Sequence, residues 1–136
     1  MRRRASEIRS ARPAERRRLP LLPCQQLMGQ VNLVRFRLEH IGDRGSFTLT
    51  TGILARSPTP GSAAISLVNA GIEGFVRAAA LEAPRGIRVN AVSPRWVSET
   101  LKALKMYPSQ GLPAAVVSYV QSVTGTATGL TLEPSA

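Results

Sequence analysis

The chain has 136 residues, a formal net charge of +10, 43% hydrophobic residues and 4% aromatic residues. That length fits one domain with a core of useful size, and no apolar run approaches the roughly 20 residues of a bilayer-spanning helix, which sets aside a membrane-embedded chain. A single cysteine, Cys24, and a single histidine, His40, exclude a disulfide framework and a zinc site; sparse cysteine fits a reducing compartment, so a cytoplasmic location is expected.

The charge is concentrated at the start. Residues 1–18 hold eight arginines against Glu7 and Glu15, which is +6 of the +10. Four readings stand for this tail: a disordered extension from an early start codon or shifted frame, an organelle-targeting peptide, a phosphate-contacting arm, or a membrane-surface helix. No aromatic residue interleaves the arginines, which argues against base stacking and against nucleic acid as a partner. Pro20 and Pro23 block helix continuation, so residues 1–24 are expected to form a disordered Arg-rich tail and residues 25–136 the ordered domain.

Leu27, Val31, Val34, Leu38 and Ile41 recur at helical spacing, predicting an amphipathic helix over about 27–41 that ends at Gly42. Residues 46–51, SFTLTT, alternate and read as a strand. A Pro-Gly loop at 58–61 leads to a second helix over about 63–83, faced by Ile65, Val68, Ile72, Phe75 and Ala79. Gly71 and Gly74 weaken that helix by about 1 kcal/mol each, and close approach of another backbone would offset the loss. A strand follows over 87–92, then helical pieces over 98–106 and 113–123, and a last strand over 129–132. Strands separated by helices imply right-handed crossovers and a parallel sheet. The strand at 46–51 is expected to form an exposed edge that invites aggregation.

Residues 61–97, GSAAISLVNAGIEGFVRAAALEAPRGIRVNAVSPRWV, closely resemble the short-chain dehydrogenase/reductase family. In that family a Tyr, three residues and a Lys open a long helix. The helix runs into Ala-Leu-Glu and then Gly-Ile-Arg-Val-Asn-Ala-Val-Ser-Pro. Here the second half stands as Ala80-Leu81-Glu82 and Gly86 through Pro94, and counting back from Glu82 puts the Tyr position on Ile65 and the Lys position on Asn69. The similarity extends over about residues 25–134, through the strand ending in Thr50-Thr51-Gly52 and the Tyr119-Val120, Thr124-Gly125 and Thr128-Gly129 wording near the end. It resembles most an atypical subgroup whose usual active-site residues are absent.

The resemblance implies the C-terminal half of a doubly wound, Rossmann-like α/β fold, with about three parallel strands and flanking helices. It also implies an NAD(P)-dependent oxidoreductase lineage acting on a small-molecule substrate that the sequence does not specify. The family's catalytic Ser falls on Thr51 by motif and on Gly52 by counting back from Ile65. Asn69, Pro94 and Val97 are the carried-over cofactor contacts: Asn69 on a ribose hydroxyl, the other two on the nicotinamide carboxamide. Arg95 replaces the family's Gly after Pro94. Tyr107 and Tyr119 are candidate substitute proton donors, and Trp96 reads as a packing residue. Neither GxGxxG nor GxxxGxG occurs in the chain, so the amides that grip a dinucleotide pyrophosphate are missing from this sequence. The expectation is a truncated, catalytically impaired relative. An alternative is a non-catalytic module that oligomerises through the helices at 27–41 and 63–83, which pair subunits in relatives, and another is nucleic-acid contact through the tail.

Overall fold

The computed structural model describes residues 21–94 and 112–134. Their elements run α1 (Leu21–Arg37), β1 (Ser46–Thr50), a 3-10 turn (Ile53–Ala55), α2 (Ala63–Glu82), β2 (Arg88–Val92), α3 (Leu112–Thr124) and β3 (Thr131–Leu132). The three strands form one parallel sheet in the order β1-β2-β3. Ser46 through Thr50 pair with Arg88 through Val92, and Ala91 and Val92 pair with Thr131 and Leu132. The expected α/β architecture with three parallel strands and flanking helices is therefore present.

Strand alternation sorts the sheet into two faces. Phe47 and Leu49 lie beside Val89 and Ala91 in register, and all four are buried. Against them pack Val34 of α1 and Val68, Ile72 and Val76 of α2, forming the core. The opposite face carries Thr48, Thr50, Arg88 and Asn90, and α3 lies over it. The Thr48 and Ser122 hydroxyls share a 2.7 Å hydrogen bond, and those of Thr50 and Tyr119 share one of 2.8 Å. The Arg88 guanidinium donates to the Ser122 and Val123 carbonyls at 2.9 and 2.7 Å, capping the last turn of α3, where a cation suits the helix dipole.

Two boundaries differ from the sequence expectation. α1 begins at Leu21, before Pro23, instead of near residue 25. Pro23 falls in the first turn, where a backbone N–H has no intrahelical acceptor and a proline is tolerated. At its other end α1 stops at Arg37, yet Leu38 N–H still reaches Val34 O and Ile41 N–H reaches Arg37 O, both at 3.0 Å. Leu38 and Ile41 therefore keep the helical stripe against the core. Residues 98–106 lie outside the described residues.

α2 also qualifies the reading of apolar runs. At 20 residues and a mean hydropathy of 1.3 it is long and apolar enough to cross a membrane. In this fold it is the helix that covers the sheet, and it buries Asn69 and Glu73 along with its aliphatic face. Pro84 follows its last turn and ends it. Gly71 is closely approached by a side chain and not by the expected backbone: a Cβ there would come within 3.1 Å of Leu27 Cδ2 on α1. Gly74 is not closely approached, since the nearest atom to its Cβ position is the flexible Arg77 Nη2 at 3.9 Å.

β1 is at one end of the sheet among the described strands, as expected for an edge. Its last residue is covered there: Gln30 of α1 accepts from Thr50 N–H at 2.8 Å and donates to Thr50 O at 2.9 Å. One amide side chain thus stands where a neighbouring strand would pair.

Candidate functional site

In open α/β sheets ligands bind beyond the carboxyl ends of the strands. Here those ends are Thr51, Ser93-Pro94 and Glu133-Pro134. Thr51 N–H donates to Val92 O at 2.9 Å and Ser93 N–H to Leu132 O at 2.8 Å. The ladder hydrogen bonds therefore continue one residue past β1 and β2 and fix the backbone at the edge.

Thr51 is buried, and its Oγ1 donates to the main-chain carbonyl of Asn69 at 3.0 Å. Gly52 follows with an extended backbone, φ −164°, which any residue adopts. A side chain there would disturb Asn69 for a different reason: a Cβ would lie 2.9 Å from Asn69 Nδ2, so the amide would have to shift. The two candidate positions for the family's Ser thus both meet Asn69, Thr51 through its backbone carbonyl and Gly52 through its side chain. Asn69 is 7% exposed as a residue, and its carboxamide makes no hydrogen bond to another described residue. Its two N–H donors and its carbonyl remain available to a bound hydroxyl.

Ile65 sits one turn earlier on α2 and is 53% exposed. Residues four apart share a helix face, so Ile65 and Asn69 present an aliphatic chain and a neutral amide side by side. Neither can donate a proton near neutral pH. Pro94 closes β2 at the same edge and is half-buried. Val97 lies outside the described residues, as do Arg95, Trp96 and Tyr107. Tyr119 is described, and its hydroxyl is held by Thr50 on the α3 side of the sheet. Successive strand residues point to opposite faces, so Tyr119 and the Thr51 side chain are on opposite sides. The structure does not bring Tyr119 to Asn69.

The edge also holds an ion-pair bridge that the sequence reading missed. Arg56, just after the 3-10 turn, places Nε 3.2 Å from Glu73 Oε2 and pairs through Nη1 with Glu133. It ties the loop after β1 to α2 and to the residue after β3. Glu73 is only 7% exposed in its side chain, and its Oε1 is buried with no hydrogen bond. Leaving such an oxygen unsatisfied costs about 1–3 kcal/mol. A lone Arg in a Ser/Pro loop, 17 and 77 residues from its partners, gave no local signal.

No cluster of metal ligands occurs among the described residues.

Comparison with known proteins adds the following. The family described as enoyl-(acyl carrier protein) reductase matches residues 25–120. Among solved structures, the protein lin1944 from Listeria innocua is 38% identical, with a TM-score of 0.71 over 79% of this chain and 56% of that one. A small-chain dehydrogenase in complex with NADPH is 23% identical, with a TM-score of 0.69 over 78% of this chain and 56% of that one. A short chain dehydrogenase/reductase family protein is 22% identical, with a TM-score of 0.66 over 79% of this chain and 52% of that one. The last two likenesses speak for the fold alone. This chain spans about half the length of the solved structures it matches. No curated protein matches it.

Proposed function

The chain is a member of the short-chain dehydrogenase/reductase family, and from that premise we propose an NAD(P)-type oxidoreductase relative that is impaired in hydride transfer. The observation that carries this is the pair Ile65 and Asn69 on one face of α2, beside the Thr51 hydroxyl. Reducing a carbonyl requires an acid near the developing alkoxide. Ile65 has no proton to give. Asn69 has no charge with which to lower a neighbouring pKa. The Thr51 hydroxyl already donates to Asn69 O.

The nicotinamide cofactor supplies hydride when bound. The residue that would meet its ribose is Asn69, whose carboxamide no other described residue engages and which can both donate to and accept from a sugar hydroxyl, and Pro94 and Val97 would meet the nicotinamide carboxamide. A structural neighbour's complex with NADPH supports the same cofactor class for this chain. Binding without turnover is the expected behaviour, and a cytoplasmic location belongs to the same reading. The test is titration of NADH and NADPH followed by fluorescence, with alcohols and ketones assayed in parallel. Binding without nucleotide-dependent turnover supports the proposal. Turnover by the purified chain rejects the impairment, and no binding at millimolar nucleotide rejects the cofactor.

A second reading rests on the outer faces of the two helices. Leu33 and Phe36 of α1 are 51% and 67% exposed, and Leu67 of α2 is 65% exposed. Covering them with a second copy through residues 27–41 and 63–83 would remove that apolar surface from water. Sedimentation velocity should then show a dimer or larger species; a compact monomer at high micromolar concentration removes the idea.

A further inference from the structure

A cavity lies at the opposite edge of the sheet from Thr51, where β1 and β2 begin. The five residues of β1 put it about 17 Å from the Thr51 end. Its volume is about 530 Å³, and its polar lining is Arg44, Arg88, Thr126 and Thr128, with the backbone of Gly86 beside them. No carboxylate lines it.

The backbone there is unusual. Arg44 has φ 60° and Arg85 φ 55°, the two non-glycine residues with positive φ among the described residues. The left-handed region is costly for a side chain with a Cβ, and Gly86 next door adopts it as a glycine, with φ 68°. The two arginines are linked, because Arg44 N–H donates to Arg85 O at 3.0 Å. Their side chains differ. Arg85 is engaged, donating to Leu38 O and Ile41 O and pairing with Asp43. The Arg44 guanidinium makes no hydrogen bond or ion pair to another described residue. Arg85 shows that this backbone can serve the turn alone, so the pointer to a ligand is the exposed, unpartnered Arg44 side chain at the cavity and not its φ angle.

The remaining donors agree. The Arg88 guanidinium binds two helix carbonyls, but no carboxylate neutralises it. The Thr126 hydroxyl and the N–H groups of Gly86 and Thr126 have no acceptor among the described residues.

We propose that this cavity binds a small phosphate-type oxyanion, held chiefly by Arg44, with Arg88, the Thr126 hydroxyl and the free amides of Gly86 and Thr126 completing the shell. The donors come from three segments around the cavity, which suits a tetrahedral anion better than a planar carboxylate. The site is independent of the nicotinamide reading, because it lies at the other end of the strands and uses none of the same residues.

The test is a titration of the 136-residue chain with inorganic phosphate, followed by amide NMR shifts at fixed ionic strength. Saturable shifts at Gly86, Thr126 and Thr128 at millimolar phosphate are expected. Acetate at matched concentration should produce no saturation, and if it matches phosphate the phosphate class is overturned. Arg44→Gly separates ligand from fold: it relieves the positive φ, so thermal stability should hold or rise, while phosphate affinity falls at least about tenfold. Arg44→Asn, which also tolerates this backbone, must give the same loss. Unchanged affinity in both variants, or linear shifts that chloride reproduces, overturns the proposal.

Discussion

The two faces of the sheet are held by different physics. Toward α1 and α2, Phe47, Leu49, Val89 and Ala91 contribute by leaving water, which has no preferred direction. Toward α3, Thr48, Thr50 and Arg88 contribute through donor–acceptor pairs, each worth a net of about 0.5–1.5 kcal/mol and expensive to leave half-made. Parallel sheets usually read as continuous apolar runs because both faces are covered. SFTLT and RVNAV instead alternate, and α3 answers them by turning its serines inward. Ser118 and Ser122 are buried, whereas Val116, Val117, Val120 and Val123 are each more than half exposed. The apolar face supplies the bulk of the stability and the polar face supplies the position of α3.

The contrast is broken most severely on the apolar side. Ile72 is fully buried, and Ile72→Ala should cost about 2–5 kcal/mol, read as a lowered urea midpoint at unchanged slope. Next comes the bridge at the strand ends. Arg56→Ala leaves the buried Glu73 carboxylate without a partner and should cost about 1–3 kcal/mol, below the full value for a buried pair because the guanidinium is about half exposed. Replacing Glu73 as well, in Arg56→Met/Glu73→Leu, should recover much of that loss. If the double variant is as unstable as the single, the carboxylate was not the cause.

The polar face is tested by pairing rather than by size. Thr48→Val strands the Ser122 hydroxyl and should cost about 1–3 kcal/mol. Thr48→Val with Ser122→Ala removes both partners and should come out milder than the sum of the two single changes. Strict additivity in that cycle would mean that α3 is seated by burial and not by this hydrogen bond.

Alternation made the sheet legible in the sequence: Phe47, Leu49, Val89 and Ala91 declare their face by period two, and Val68 and Ile72 answer at helical spacing, whereas Ile65, expected on the same face, is 53% exposed and Val76, not expected there, is fully buried. The start of α1 was less legible, because a proline is disruptive in a helix interior and harmless in the first turn, and Pro23 alone does not reveal which it is. The orientation of α3 could not be read locally. A hydrophobicity count turns Val116, Val120 and Val123 inward; the Ser122 hydroxyl instead meets Thr48, 74 residues away, and Arg88, 34 residues away, holds the main-chain carbonyl of Ser122. The site divides in the same way. Ile65 and Asn69 follow from the family resemblance, by counting back from Glu82 along one helix, whereas the contact of Gly52 with the Asn69 amide and the Arg56 bridge exist only once the chain has closed.

The smallest effect sharpens the apolar side. Gly71 and Gly74 lie one turn apart on α2, and as helix-interior glycines each gives up roughly 0.5–1 kcal/mol relative to alanine. Their surroundings differ. At Gly74 a Cβ meets only the end of the Arg77 side chain at 3.9 Å, so Gly74→Ala should gain nearly all of that propensity. At Gly71 the Cβ meets Leu27 Cδ2 at 3.1 Å and Cδ1 at 3.4 Å. The contact is with a side-chain end, so Leu27 can yield by a few tenths of an ångström, but doing so loosens its packing on the core. Gly71→Ala should therefore stabilise by less than Gly74→Ala, or be neutral, and pairing it with Leu27→Ala should restore its propensity gain. Equal gains at the two positions in denaturant midpoints would mean that α1 does not press on α2 at Gly71, and that the apolar face is held by α2 with little help from its neighbour.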